Sequence, residues 1–260
     1  MDKEELNYIK KIKRTNINII LIQLSIVFIF IIIWQYLSSK SIISPFIFSS
    51  PYKIVITIID LFKNNLIYHI FVTLSEILIS FIICFILSLT IAILLYLSNT
   101  LYKILDPFLS TLNSLPKISL GPILIIWFKA SSKSIIVMSL LISTLVCMQT
   151  IYIGLLNTNK YHILLFKSLK ASKYKQIKYL LIPSSYPSII SALKLNISMT
   201  LVGVIMGEFL VSKAGLGYLI IYGTQIFNLD LVYSSIVILI ILSYLIYKPI
   251  NILEKKLKYL

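Results

Sequence analysis

The sequence predicts an all-α membrane protein with six transmembrane helices, and three observations carry that prediction. Of its 260 residues 58% are hydrophobic and only 13% charged, with a mean hydropathy of +0.96. The apolar residues fall in runs long enough to cross a bilayer, and the lysines punctuate those runs. A chain this apolar cannot give a soluble globule the polar surface it needs. The formal charge of +15 does not indicate nucleic acid, which requires a water-exposed basic face with base-stacking aromatics.

About 20 apolar residues cross the roughly 30 Å hydrocarbon layer, which places spans at 17–37, 69–97, 101–128, 134–157, 184–211 and 230–252. Runs of this length without alternation are helices, not barrel strands. The first run exceeds a secretory signal core and lacks a small-x-small cleavage site, so it reads as a retained span. Between the first two spans, Pro45, Pro51 and the spacing of Ile54, Ile58, Ile59 and Phe62 predict a short amphipathic helix at the outer interface. Ser98-Asn99-Thr100 separates the second span from the third. Within the third, Pro116 and Gly121-Pro122 predict a kink or break. Lys129 to Lys133 precedes the fourth span, and Pro183 and Pro187 interrupt the chain where the fifth begins.

Sixteen Lys and Arg residues fall in the tails and loops of one side, against six on the other. The positive-inside rule therefore puts both termini in the cytoplasm, as an even number of spans allows. The fourth-to-fifth loop is the one cytoplasmic connection of any size. From Tyr161 to Ile182 it mixes apolar and basic positions at helical period, with Ile163, Phe166, Leu169 and Tyr174 on one stripe. Two readings stand at this point: a basic helix resting on anionic lipid, or a docking helix for a cytoplasmic subunit.

The stretch Leu169-Lys170-Ala171-Ser172, with Tyr174, Leu180-Leu181-Ile182-Pro183 and Pro187, resembles the cytoplasmic "EAA" loop of ABC importer permeases. Further motifs follow in register: Asp106-Pro107, Leu115-Pro116, Gly121-Pro122 and Trp127-Phe128; then Glu208, Gly215-Leu216-Gly217-Tyr218-Leu219-Ile220 and Asp230. Ser49-Ser50-Pro51 and Thr73-Leu74-Ser75 fall in line as well, so the resemblance covers about residues 45–258 and is to the nitrate/sulfonate/taurine subgroup. It implies a type I importer permease fold in the cell membrane. It also implies a homodimer, a cytoplasmic ATPase subunit and an extracellular or periplasmic solute-binding protein. The cargo it implies is a sulfonate, taurine, nitrate or related anion, or a thiamine-precursor-like compound. On this reading 1–16 and 253–260 are cytoplasmic tails and 38–68 is an outer interfacial segment. Residues 69–252 form a permease core of five helices with a coupling loop at 158–183.

The same resemblance assigns ATPase coupling to Phe166, Leu169, Lys170, Ala171, Ser172, Tyr174 and Pro183. Two departures stand out: Lys170 replaces the loop glycine, and Lys129 and Ser131 stand where GxG is usual. Lysine favours helix over turn, so an unbroken helix is expected at Lys170.

Acidic side chains in hydrocarbon are functional candidates. Glu208 is either an interfacial carboxylate, wetted or paired with Lys213, or part of the outer gate. Glu76, two turns into the second span, either bridges to Lys117 or Lys194 or contacts substrate. Broken helices line cavities because their freed backbone groups need partners, which makes Asn113, Ser114 and Lys117 candidates for the pathway. Cys84 and Cys147 read as inert core thiols, and His69 and His162 lie at opposite faces, so neither pair forms a metal site. The chain has no P-loop sequence, so hydrolysis belongs to a partner; no catalytic residue, cofactor or metal is expected. A membrane-embedded enzyme would need clustered His, Asp or Arg. A self-powered secondary carrier would show internal repeats and midplane titratable groups.

Overall fold

The computed structural model describes residues 3–257, and the extreme ends of the two expected tails lie outside the described residues. Every regular element among them is helical. Two units are distinguished, Met1–Asn64 with Gly223–Ser234, and Asn65–Tyr222 with Ser235–Leu260.

In the first unit, helix α1 runs over Lys3–Ser39, and its apolar stretch Ile17–Ser39 is long enough to cross a membrane; its side chains are exposed up to Ile33, whereas Trp34, Gln35 and Leu37 are half-buried and Ser38 is buried. Two short helices follow, α2 at Pro45–Phe48 and α3 at Pro51–Lys63. Proline at the first helical position and Ser50 as the cap, its Oγ accepting the Lys53 N–H at 3.3 Å, start α3 as local chemistry demands. Ile54 is buried and Ile58 half-buried, whereas Ile59 and Phe62 face outward. Asp230 fastens this unit, accepting from Ser49 Oγ at 2.5 Å and pairing with Lys53 at 3.8 Å.

The second unit is built on three long helices, α4 (Leu66–Leu97), α7 (Ser132–Leu156) and α11 (Tyr186–Val211), packed against one another. Lipid offers apolar side chains as good a home as a protein core does, so packing here depends on small residues that let backbones approach. A Cβ on Gly203 would stand 2.5 Å from Ser139 Cα, and one on Gly207 would stand 3.0 Å from Ile135 Cα. Several polar groups in these seams pair internally. Ser139 Oγ donates to the Thr200 carbonyl at 3.1 Å, and Asn196 Nδ2 donates to the Phe81 carbonyl at 3.0 Å. Cys84 and Cys147 are buried free thiols in the main apolar cluster, beside Met148, Ile151 and Ala192.

Helices α5 (Asn99–Ser114) and α6 (Gly121–Phe128) fall in the span expected at 101–128, and the expected break takes the form of an 88° bend between Ser114 and a 3₁₀ turn at Lys117–Leu120. The cause is Pro116, which holds Leu115 in extended backbone (φ −69°, ψ 139°) and ends the helix. Among the described residues five helices are long and apolar enough to cross a bilayer, or six if this bent pair counts as one span. The short α8 (Lys160–Ser168), α9 (Lys173–Gln176) and α10 (Ile182–Ser184) link α7 to α11. Helices α12 (Leu216–Gln225) and α13 (Leu229–Leu257) complete the chain.

Candidate functional site

Three clusters concentrate the polar chemistry. The first is the loop between α7 and α11, where the expectation of an unbroken helix at Lys170 fails. Asn159 caps α8 through its Oδ1, which accepts the Tyr161 N–H at 2.9 Å. The helix then stops at Leu169 because Lys170 takes a left-handed conformation, φ +50°. The Ala171 N–H returns to the Phe166 carbonyl at 3.0 Å and the Lys170 N–H to Lys167 at 2.9 Å, the bond pair that closes a helix around a left-handed residue. Ser172 then caps α9. Two captured carbonyls and a following cap together outweigh the helix preference of one lysine, so lysine occupies the glycine position without removing the turn.

The predicted stripe divides accordingly. Ile163 and Phe166 are half-buried, while Leu169 and Tyr174 are 70% and 68% exposed, alongside Tyr161, Leu164 and Leu165. The lysines at 160, 167, 170, 173, 175 and 178 are exposed in the same segment. Pro183 lacks an N–H, and just before it the helix widens to a π segment at Ile177–Leu181, with the Ile182 N–H reaching back to Ile177.

The second cluster surrounds Glu208, which is buried to 1% exposure and is neither wetted nor among the ion pairs of the described residues, so pairing with Lys213 is overturned. Its carboxylate holds the turn that opens α12. Three consecutive amides point at side chains from other helices: Gly215 N–H to His69 Nδ1 at 3.0 Å, Leu216 N–H to Thr73 Oγ1 at 2.8 Å, and Gly217 N–H to Glu208 Oε2 at 2.6 Å. Thr73 also donates to Glu208 Oε1 at 2.6 Å, joining α4 to α11. The first amides of a helix have no intrahelical partner, and here α4 and α11 supply the caps. The glycines follow from this: Gly215 has φ +114°, and a Cβ there would lie 2.4 Å from the Glu208 carboxyl carbon.

Glu76 lies against Ser132 and Glu208. Both its oxygens are buried and beyond hydrogen-bond geometry from any described partner. Neither proposed lysine reaches it: Lys194 pairs with Glu254 at 2.5 Å, and Lys117 bonds to Asn113. Two carboxyl groups side by side in an apolar setting repel when both are ionised. Sequence reasoning missed His69 and Thr73 as caps. The signals for them were the Thr73-Leu74-Ser75 motif and a spacing of four, which puts His69 and Thr73 on one face of α4.

The third cluster is at the break between α5 and α6. Lys117 Nζ donates to Asn113 Oδ1 at 3.2 Å, and Asn113 Nδ2 donates to Gln149 Oε1 at 3.0 Å. Ser114 instead turns back to the Thr111 carbonyl at 2.8 Å. The candidate residues thus form two groups, Glu76 with Glu208 and Asn113 with Lys117.

Residues 84–259 match the family described as binding-protein-dependent transport system inner membrane component. The chain is 30% identical over 231 residues to a probable ABC transporter permease protein of Haemophilus influenzae, covering 88% of this chain and 93% of that one. It is 29% identical to the formylaminopyrimidine transport permease protein ThiX of Halalkalibacterium halodurans, covering 86% and 89%. It is 25% identical to the putative aliphatic sulfonates transport permease protein SsuC of Bacillus subtilis, covering 88% and 83%. Among solved structures, the MetNI methionine ABC transporter in an inward-facing conformation aligns with a TM-score of 0.67 at 19% identity, covering 75% of this chain and 97% of that one. At that identity the likeness is one of fold.

Proposed function

Because the chain belongs to the family of binding-protein-dependent transport system inner membrane components, as an ABC importer permease of the sulfonate/taurine type, we propose that it lines the path of a small solute and couples that path to a separate ATPase. The proposed complex is a homodimer of this chain with two ATPase subunits inside the cell and a solute-binding protein outside, both termini of each chain being cytoplasmic. The cargo on this reading is a sulfonate, taurine, nitrate or related anion, or a thiamine-precursor-like compound.

The observation that supports coupling is the α8–α9 loop. It presents Leu164, Leu165, Leu169 and Tyr174 outward among lysines on a rigidly closed turn, which suits insertion into a cleft of another subunit better than a loop relaxed on water. Nucleotide-driven closure of the ATPase pair would pull on this loop, and the movement would pass through α7 and α11, which it joins. In the same reading Glu208, Thr73 and His69 keep the turn before α12 seated while the helices move, and Lys117 and Asn113 border the path.

Leu165 and Leu169 are 55% and 70% exposed, so charging them leaves the permease fold alone. Leu165→Asp with Leu169→Asp should abolish co-purification of the ATPase from membranes while the permease is still inserted and retains its helix content. Undiminished recovery of the ATPase with this double variant would refute docking through α8.

A further inference from the structure

The charge at the α5–α6 break decides among those cargo classes. We propose that Lys117 is the anion-recognising residue of a site for a small organic anion that carries a short apolar body; the proposal rests on the transport reading above.

Lys117 borders a cavity of about 290 Å³ that also touches Leu87, Leu112, Leu120, Leu141 and Thr144. This is close to the lower end of the roughly 300–1,000 Å³ typical of small-molecule sites. Its wall is aliphatic, and none of its lining residues is acidic. Lys117 is half-buried there, and a lysine beside an apolar wall within a membrane-spanning region is rare unless something repays its desolvation. The described ion pairs do not include it, since they join Lys53 to Asp230, Lys63 to Asp60 and Lys194 to Glu254.

What Lys117 has is a positioning device. Gln149 accepts from the Asn113 amide nitrogen, which turns the Asn113 oxygen to receive one ammonium proton. An ammonium has three donors, so two are left for a ligand. The neighbourhood therefore offers one fixed positive charge with open donors at the edge of a leucine-lined space. The complement is a negatively charged oxygen cluster on a chain of a few carbons, as in a short alkanesulfonate. Inorganic nitrate has no apolar part for the leucines, and an aminopyrimidine brings no negative charge for the lysine.

The test uses the whole transporter, permease with ATPase, in phosphatidylcholine nanodiscs, with binding of pentane-1-sulfonate followed by ligand-observed NMR and pentan-1-ol as the uncharged control. The wild type should bind the sulfonate at least about tenfold more tightly than the alcohol, as a charge-assisted contact requires. Lys117→Gln should remove that preference and Lys117→Arg should restore most of it, which separates recognition from misfolding. Equal binding of sulfonate to wild type and Lys117→Gln would overturn the proposal. So would loss of wild-type sulfonate binding when phosphatidylglycerol is added to the nanodiscs, because the cavity would then hold lipid. ATPase retention is read on the same samples: an intact, hydrolysing complex whose sulfonate affinity ignores Lys117 refutes this site alone, whereas a permease that never retains the ATPase refutes the transport reading.

Discussion

Removing the Glu208 side chain should unfasten the turn that opens α12. Glu208→Ala leaves the Gly217 N–H and the Thr73 hydroxyl buried without their acceptor. Each orphaned donor costs about 1–3 kcal/mol, so the two together amount to about 4 kcal/mol before any cavity cost. Glu208→Gln keeps the shape: its amide oxygen can accept from Gly217 and its amide nitrogen can donate to Thr73 Oγ1, which leaves only the Thr73 hydroxyl proton without its acceptor and limits the loss to about 1–2 kcal/mol. At about 2–4 °C per kcal/mol for a chain of roughly 150–250 residues, alanine should lower the unfolding temperature of the detergent-purified protein by on the order of 10 °C, and glutamine by a few degrees. Thr73→Val shares one of the broken contacts, so combining it with Glu208→Ala should cost less than the sum of the two. Limited proteolysis at residues 212–217 reports the turn directly, and cleavage should rise with alanine. An alanine variant within about 1 °C of wild type, or strictly additive losses in the double variant, would show that the carboxylate does not hold the turn.

Two lysines in glycine-like backbone give a prediction of opposite sign. Lys170 (φ +50°) and Lys129 (φ +61°, ψ 176°) hold conformations unfavourable for a side chain, so Lys170→Gly and Lys129→Gly should each stabilise the protein by about 1 kcal/mol or more in thermal unfolding; a destabilised Lys170→Gly would mean that α8 continues through this position. Gly203→Ala should cost about 1–3 kcal/mol, because the new Cβ meets Ser139 backbone and α7 and α11 must separate; an unchanged unfolding temperature would refute that close approach.

The long helices were legible because their signal is one-dimensional: α4, α7 and α11 cover the spans expected at 69–97, 134–157 and 184–211 to within a few residues. The break near Lys117 was legible for a related reason, since Pro116 and Gly121-Pro122 act on their own neighbours. Its size was not, because an 88° bend depends on what each half packs against. The outcome at Lys170 shows the converse. Propensity favoured helix by a fraction of a kcal/mol, while the capture of two carbonyls and a cap on the next helix favoured the turn.

Composition and periodicity alone determined that this chain lives in a membrane as a set of helices, and several spaced motifs pointed to the kind of machine it serves. They could not say which partner each charged group would find. For Glu208 the sequence left a wetted interface, a pairing with Lys213 five positions away, or the outer gate all open; the fold sets it against Thr73, 135 positions away. Glu76 was given two lysines and received neither. Hydrophobicity is a property each residue brings with it, and a local sum suffices to read it. A hydrogen bond in a water-poor interior exists only when two directed groups meet within about 3 Å, and which groups meet is settled by how α4, α7 and α11 close on their small residues.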